Sequence, residues 1–186
     1  MQAIRQSNNP MRTLDAFWAG QIKSKEWLIT NLEQTIPNPV TVEIYGGWVG
    51  VLASMMFQSQ LQIINIKSID IDPLCENIAN TMNQIEFHEG RFKAITRNMV
   101  NVQSEANVVI NTSCEHITQT DYNLWLSKVP DNSIVVLQSN NYKIPEHIRT
   151  ASSLDEFVEQ SNLSRVILKD KLELPLYDRY MIIGFV

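Results

Sequence analysis

A chain of 186 residues with 44% hydrophobic and 19% charged side chains is long enough to bury one ordinary core. Its formal net charge of -5 leaves no basic footprint, so nucleic acid is not supported as a partner on charge. Two cysteines, Cys75 and Cys114, supply neither a disulfide framework nor a zinc-type cluster, and no metal ligands are assigned.

The first ten residues, MQAIRQSNNP, lack the apolar centre of a signal peptide. No apolar run approaches the roughly 18 residues of a membrane span, so a cytoplasmic protein without a membrane partner is expected. From residue 13 to 34, Leu14, Phe17, Trp18, Ile22, Trp27, Leu28 and Leu32 recur at helical spacing. One or two amphipathic helices are predicted there, with Thr13 as N-cap, closed by Pro37 and Pro39.

Next, VTVEIY predicts a first strand ending at Gly46 and Gly47, and the apolar run after Gly50 predicts a helix. The alternation continues. INIKSID is a strand, and a helix follows with Pro73 in its first turn. RFKAIT, ANVVINT and NSIVVLQS predict three more strands. DYNLWLSKV predicts a helix with an acidic cap, and SLDEFVEQS one with a capping box of Ser153 and Glu156. Two final β-rich runs, with no helix between them, predict an antiparallel pair.

The pattern predicts an α/β, Rossmann-like, doubly wound, mostly parallel sheet of about seven strands with a C-terminal antiparallel strand pair. It is read as a single domain, residues 1–186, with an N-terminal helical cap at 1–36 and an α/β core at 40–186.

Ligands of open α/β sheets bind beyond the carboxyl ends of the strands. There the chain places Gly46, Gly47 and Gly50 after strand one, and Asp70 and Asp72 after strand two. Asp70 stands at the usual distance from the glycines for a carboxylate that takes both hydroxyls of a ribose. Asp72 reads chiefly as the cap of the next helix.

The segments VEIYGGWVG, SIDIDPLCENIANTMN and ANVVINTSCEH together resemble class I S-adenosylmethionine-dependent methyltransferases. More closely, they resemble compact methyltransferases encoded by tailed bacteriophages, which implies a host cytoplasm. The resemblance implies S-adenosylmethionine as cofactor, held by Glu43, Gly46, Gly47, Trp48 and Gly50. It also implies Asp70 on the ribose, Asn98 and Met99 near the adenine, and Asn111 at the end of strand four. The loop departs from the family's E-x-G-x-G-x-G: Glu43 leads to Tyr45, Gly46, Gly47, Trp48 and Gly50. A nicotinamide cofactor is disfavoured, because G-x-G-x-x-G needs glycine at position 45. Trp48 is a test of this reading. Packed under the first helix it leaves room for a nucleoside, whereas filling the pocket excludes one.

After strand four, Asn111, Glu115 and His116 are the candidate catalytic residues. His116 suits a base near neutral pH, Glu115 orients it or replaces it, and Asn111 holds an amine or hydroxyl. Their plainer alternative is a turn. Cys114 falls where cytosine-C5 methyltransferases carry a Pro-Cys nucleophile, but Ser113 replaces the proline, and Cys114 reads as a core residue. Amino-methylating enzymes carry prolines and an aromatic here; without that aromatic a flipped base has no platform.

Lys25, with Gln21, Ser24 and Trp27 around it, is either a partner for the methionine carboxylate or a solvated helix charge. QSNNY after strand five either lines the acceptor pocket or forms a turn. The leading expectation is a methyltransferase acting on a small molecule or an exposed group of a macromolecule. Its rivals are a binding or regulatory protein on the same fold, and an enzyme using S-adenosylmethionine for a non-methyl reaction.

Overall fold

The computed structural model describes residues 3–4, 7, 9–36 and 38–186. Its strands are β1 (Val40–Tyr45), β2 (Ile63–Asp70), β3 (Phe92–Thr96), β4 (Val108–Asn111), β5 (Ile134–Asn140), β6 (Arg165–Glu173) and β7 (Asp178–Phe185). They form one sheet in the order β3-β2-β1-β4-β5-β7-β6. Pairs β1–β2, β2–β3 and β4–β5 are parallel, while β5–β7 and β6–β7 are antiparallel. This is the mostly parallel, Rossmann-like sheet with the C-terminal antiparallel pair that the alternation predicts. Among the described residues no helix is long and apolar enough to cross a membrane.

The chain divides into two compact units, one ending at Met99 and one running from Val100 to Val186. In the first, helices α1 (Pro10–Asp15) and α2 (Ala19–Thr35) precede β1. Asn9, not Thr13, caps α1, accepting from the Arg12 N–H at 3.1 Å. An asparagine followed by proline at the first helical position is a strong start, and it draws the helix four residues upstream of the expected one. Thr13 is instead buried inside α1, donating its hydroxyl to Ser7 at 2.7 Å. β1 is buried at every position but Thr41, as a central parallel strand requires.

Helix α3 (Val51–Phe57) follows the glycines, and α4 (Pro73–Met82) follows β2. Asp72 caps α4, accepting from Leu74 N at 2.9 Å, as its sequence position predicts. The short α5 (Gln84–His88) is an element that the periodicity did not reveal.

In the second unit, a 3-10 turn (Cys114–His116) follows β4, and α6 (Gln119–Leu126) comes next. The cap of α6 is Thr118 and not an acidic residue. Its hydroxyl accepts from Asp121 N at 3.0 Å and donates to the Asp121 carboxylate at 2.9 Å, so Asp121 lies in the first turn. Helix α7 (Leu154–Ser161) is capped by Ser153, which accepts from Glu156 N. Glu156 reaches back one residue further than a capping box, to the N–H and hydroxyl of Ser152. β4 and β5 are buried throughout, whereas β6 alternates exposed and half-buried positions as a charged edge strand.

Candidate functional site

In the first unit the chain turns sharply after β1, with Gly46 at φ 67° and Gly50 at φ 80°. A Cβ at Gly50 would stand 2.6 Å from Asn83 Nδ2 and 3.1 Å from the Cα of Ala79. Glycine therefore lets α3 start directly against α4. Four amides of this loop are spent internally. Gly46 N and Gly47 N donate to the Ile69 carbonyl at 2.9 and 3.2 Å, and Gly50 N donates to Gly47 O at 3.0 Å. Trp48 N donates to Asp70 Oδ2 at 2.8 Å. Such a loop offers few N–H groups to a phosphate, unlike a dinucleotide-binding cradle.

Asp70 is half-buried at the end of β2, and both of its oxygens are anchored. Oδ2 takes the Trp48 amide, and Oδ1 takes the Asp72 amide at 3.0 Å. A carboxylate has about four acceptor directions, so this anchoring leaves roughly one per oxygen. The group is rigid and still able to take two hydroxyls. The residues present thus fit a nucleoside that carries no phosphate.

Trp48 holds φ 49°, a left-handed backbone seldom adopted by a bulky residue. Its half-buried ring packs against a cluster of Ala16, Val49, Val51 and Ile78, which places it next to the end of α1. Glu43 is buried, with Oε2 accepting from the Tyr45 hydroxyl at 2.9 Å and Oε1 from Lys67 at 2.7 Å. Lys67 is its register partner on β2. Asn98 is exposed and Met99 half-buried just beyond β3, where Arg97 N donates to Asp70 O at 2.8 Å. Lys25 donates to Gln21 on its own helix, at 2.9 Å to the side-chain oxygen.

The second unit buries a polar network around Glu115. Asn111, fully buried, accepts from Ser113 N at 3.0 Å and so tightens the turn out of β4. The turn delivers Glu115 into the interior at 3% exposure, while His116 stays exposed. Glu115 Oε1 accepts from Asn140 Nδ2 at 2.6 Å and from Arg179 Nη1 at 3.2 Å, and Oε2 has no hydrogen-bond partner among the described residues. Arg179 also donates to the Thr112 carbonyl at 2.7 Å and to Gln138 at 3.3 Å. Arg149 clamps the turn from outside the sheet. Its backbone N donates to Glu115 O at 3.0 Å, its Nε to Cys114 O at 3.1 Å, and its guanidinium lies 4.1 Å from the centre of the Tyr122 ring.

Gln138, Ser139 and Asn140 belong to β5 itself and are buried, not part of a following turn. Asn141 and Tyr142 lie beyond the strand. Burial pushes the Cys114 thiol up to about 12, and it donates to Asn111 O at 3.6 Å. A neutral buried thiol is no nucleophile at physiological pH.

Glu115, His116 and His147 each present one ligand atom within 4.8 Å of the others. His147, Arg149 and Arg179 were not singled out from sequence. For Arg179 a signal existed: a cation set in the apolar strand RYMIIGF, where it must find a buried partner.

No family model matches the chain, and no curated protein matches it. Solved structures do. The pyocyanin biosynthetic protein PhzM is 11% identical with a TM-score of 0.68, over 100% of this chain and 61% of that one. Mitomycin 7-O-methyltransferase MmcR is 14% identical with a TM-score of 0.68, over 100% of this chain and 60% of that one. The magnesium protoporphyrin IX methyltransferase ChlM from Synechocystis PCC 6803, solved with bound S-adenosylmethionine, is 12% identical with a TM-score of 0.63. That match covers 88% of this chain and 76% of ChlM. At such identities the likeness is one of fold: the chain has the Rossmann-like methyltransferase fold. It spans about three fifths of the length of PhzM and MmcR.

Proposed function

We propose that the protein is an S-adenosylmethionine-dependent methyltransferase acting on a small molecule or an exposed group of a macromolecule. The observation that carries this reading is Asp70, fixed at the end of β2 by two backbone amides and retaining acceptor directions for a ribose diol. The loop before it has four amides already engaged, two by Ile69 O, one by Asp70 and one by Gly47 O, which favours a cofactor without phosphates. Gly46, Gly47, Trp48 and Gly50 would form the wall against the nucleoside, and Asn98 and Met99 would lie near its adenine. Glu43, tied to Tyr45 and Lys67, holds the strand beneath the loop. The cofactor's sulfonium supplies an electrophilic methyl carbon when bound.

In the second unit, Asn111, Glu115 and His116 are assigned to the acceptor. Asn111 shapes the turn, and Arg179 with Asn140 fixes the Glu115 carboxylate through one oxygen. The other oxygen is left to interact with an acceptor proton. A preset carboxylate lowers the orientational cost of the reaction. The resemblance to compact phage-encoded methyltransferases adds a cytoplasmic setting to the proposal.

Calorimetric titration with S-adenosylhomocysteine tests the cofactor assignment. Saturable binding is expected, weakened about 10-fold or more by Asp70→Asn, since loss of a charge-assisted hydrogen bond costs about 1.5–3 kcal/mol. No saturable binding by the unaltered protein sinks the proposal. Binding without turnover on any acceptor supports the regulatory alternative, and methylthioadenosine as product supports a non-methyl reaction.

A further inference from the structure

Burying a carboxylate oxygen without a partner forfeits the hydrogen bonds that water would give it, so such atoms are rare and demand a reason. Glu115 Oε2 is one of them. The residue is 3% exposed, and all of its described side-chain polar contacts fall on Oε1. Two imidazoles converge on the same carboxylate, one from the turn that carries Glu115 and one from the segment after β5. The ligand atoms of Glu115, His116 and His147 lie within 4.8 Å of one another. The two rings meet edge to face, with centroids 4.7 Å apart and planes at 81°.

The hydrogen bonds of these rings decide which nitrogen each presents. His116 Nδ1 lies 3.1 Å from the Glu146 carbonyl oxygen, and His147 Nδ1 lies 2.7 Å from that of Tyr142. A carbonyl only accepts, so each Nδ1 carries a proton and each neutral ring keeps its lone pair on Nε2. Metal-ligating histidines are oriented in this way by their outer shell. Glu115 is likewise oriented, through Oε1, by Asn140 and Arg179.

We propose that Glu115, His116 and His147 bind a divalent transition-metal ion of the zinc class, with Glu115 Oε2 and the two Nε2 atoms as ligands. Two nitrogens and one carboxylate suit zinc and its first-row neighbours, whereas magnesium and calcium prefer oxygen throughout. Bonds of about 2.0–2.1 Å place tetrahedral donors about 3.4 Å apart, so the three groups draw together on binding. The exposed His116 and half-buried His147 have room to make that movement, while the carboxylate stays fixed. Three protein ligands leave a fourth position for water or an oxygen donor, so in the metal-loaded protein an acceptor would meet that position instead of the free Oε2.

All three residues lie in the second unit, and the site does not depend on the cofactor assignment. The test is calorimetry of the tag-free, chelator-treated full chain with Zn²⁺, without S-adenosylmethionine, paired with the visible spectrum of the Co²⁺-loaded protein. One equivalent is expected to bind, and Co²⁺ to show the intensified bands of a low-symmetry site. His116→Ala and His147→Ala should each weaken binding beyond the roughly 10–100-fold that loss of an outer-shell partner costs, leaving the melting temperature of the metal-free protein unchanged. Should His147→Ala fold poorly, His147→Gln and the exposed His116 still decide the matter. Absence of saturable binding, or equal affinity in the histidine variants, overturns the site. Either result leaves S-adenosylhomocysteine binding to be judged separately.

Discussion

Arg179 ties together the second unit's buried polar groups, although no motif in the sequence marks it. It is 6% exposed and joins Glu115, Gln138 and the Thr112 carbonyl, with Asn140 its register partner across β5 and β7. Two opposite charges buried together do not guarantee a net gain, because desolvation offsets their attraction. Removing one partner is a different matter, since it strands the other charge. Arg179→Met is therefore expected to destabilise the protein by about 3–5 kcal/mol in urea unfolding. Adding Glu115→Gln to that variant should recover part of the loss, because the stranded anion is gone. If the double variant is less stable than Arg179→Met by the full additive amount, the pair is not acting as a pair.

At the scale of elements, the order of strands and helices was legible because short β-branched apolar runs alternate with helical patterns between Val40 and Phe185. Caps were less legible, since several polar residues compete at each start. Asn9 outranks Thr13 because Pro10 follows it, and Thr118 outranks the acidic residue because its hydroxyl reaches both the N–H and the carboxylate of Asp121. The glycine loop and Asp70 could be found by spacing, as both belong to consecutive elements. The Glu115 network could not, for it gathers side chains from the turn after β4, from β5 and β7, and from Arg149, joined only by sheet register and tertiary packing. Gly50 shows what spacing alone misses. Its role is the approach of α3 to α4, and its left-handed backbone excludes a side chain a second time over. Gly50→Ala is expected to cost about 1–2 kcal/mol from backbone strain alone, with further loss from the contact with Ala79. Thermal denaturation measures it. Truncating Asn83 to Ala in the same protein relieves the Nδ2 contact but removes its hydrogen bonds to the Gly50 and Ala79 carbonyls, so no rescue is expected.

For the whole molecule, the pH dependence of stability follows from groups whose protons are held differently in the folded and unfolded chain. The Cys75 thiol is pushed up to about 12 from an ordinary 9.0, first by burial and then by Asp70 and Asp72 nearby. Between those values the unfolded chain has released the proton and the folded chain retains it. The unfolded state then binds fewer protons, so stability is full below about pH 9 and falls as pH rises toward 12. Burial also raises Tyr122 and Tyr180, which adds to the same alkaline loss. Asp72 behaves oppositely. Its hydrogen-bonded ion pair with Arg12 lowers its pKa, so its contribution is present above the ordinary carboxylate range and lost as pH falls through its folded value. The protein is thus expected to hold a neutral plateau bounded by an acid limb owed partly to Asp72 and an alkaline limb owed partly to Cys75. Melting temperatures from pH 7 to 11, compared between the unaltered protein and Cys75→Ala, separate packing from ionisation. The lost sulfur shifts the whole curve, whereas the lost ionisation flattens only its slope above about pH 9. Parallel curves over that range would show that Cys75 does not hold its proton in the fold as its burial between Arg12, Asp70 and Asp72 requires.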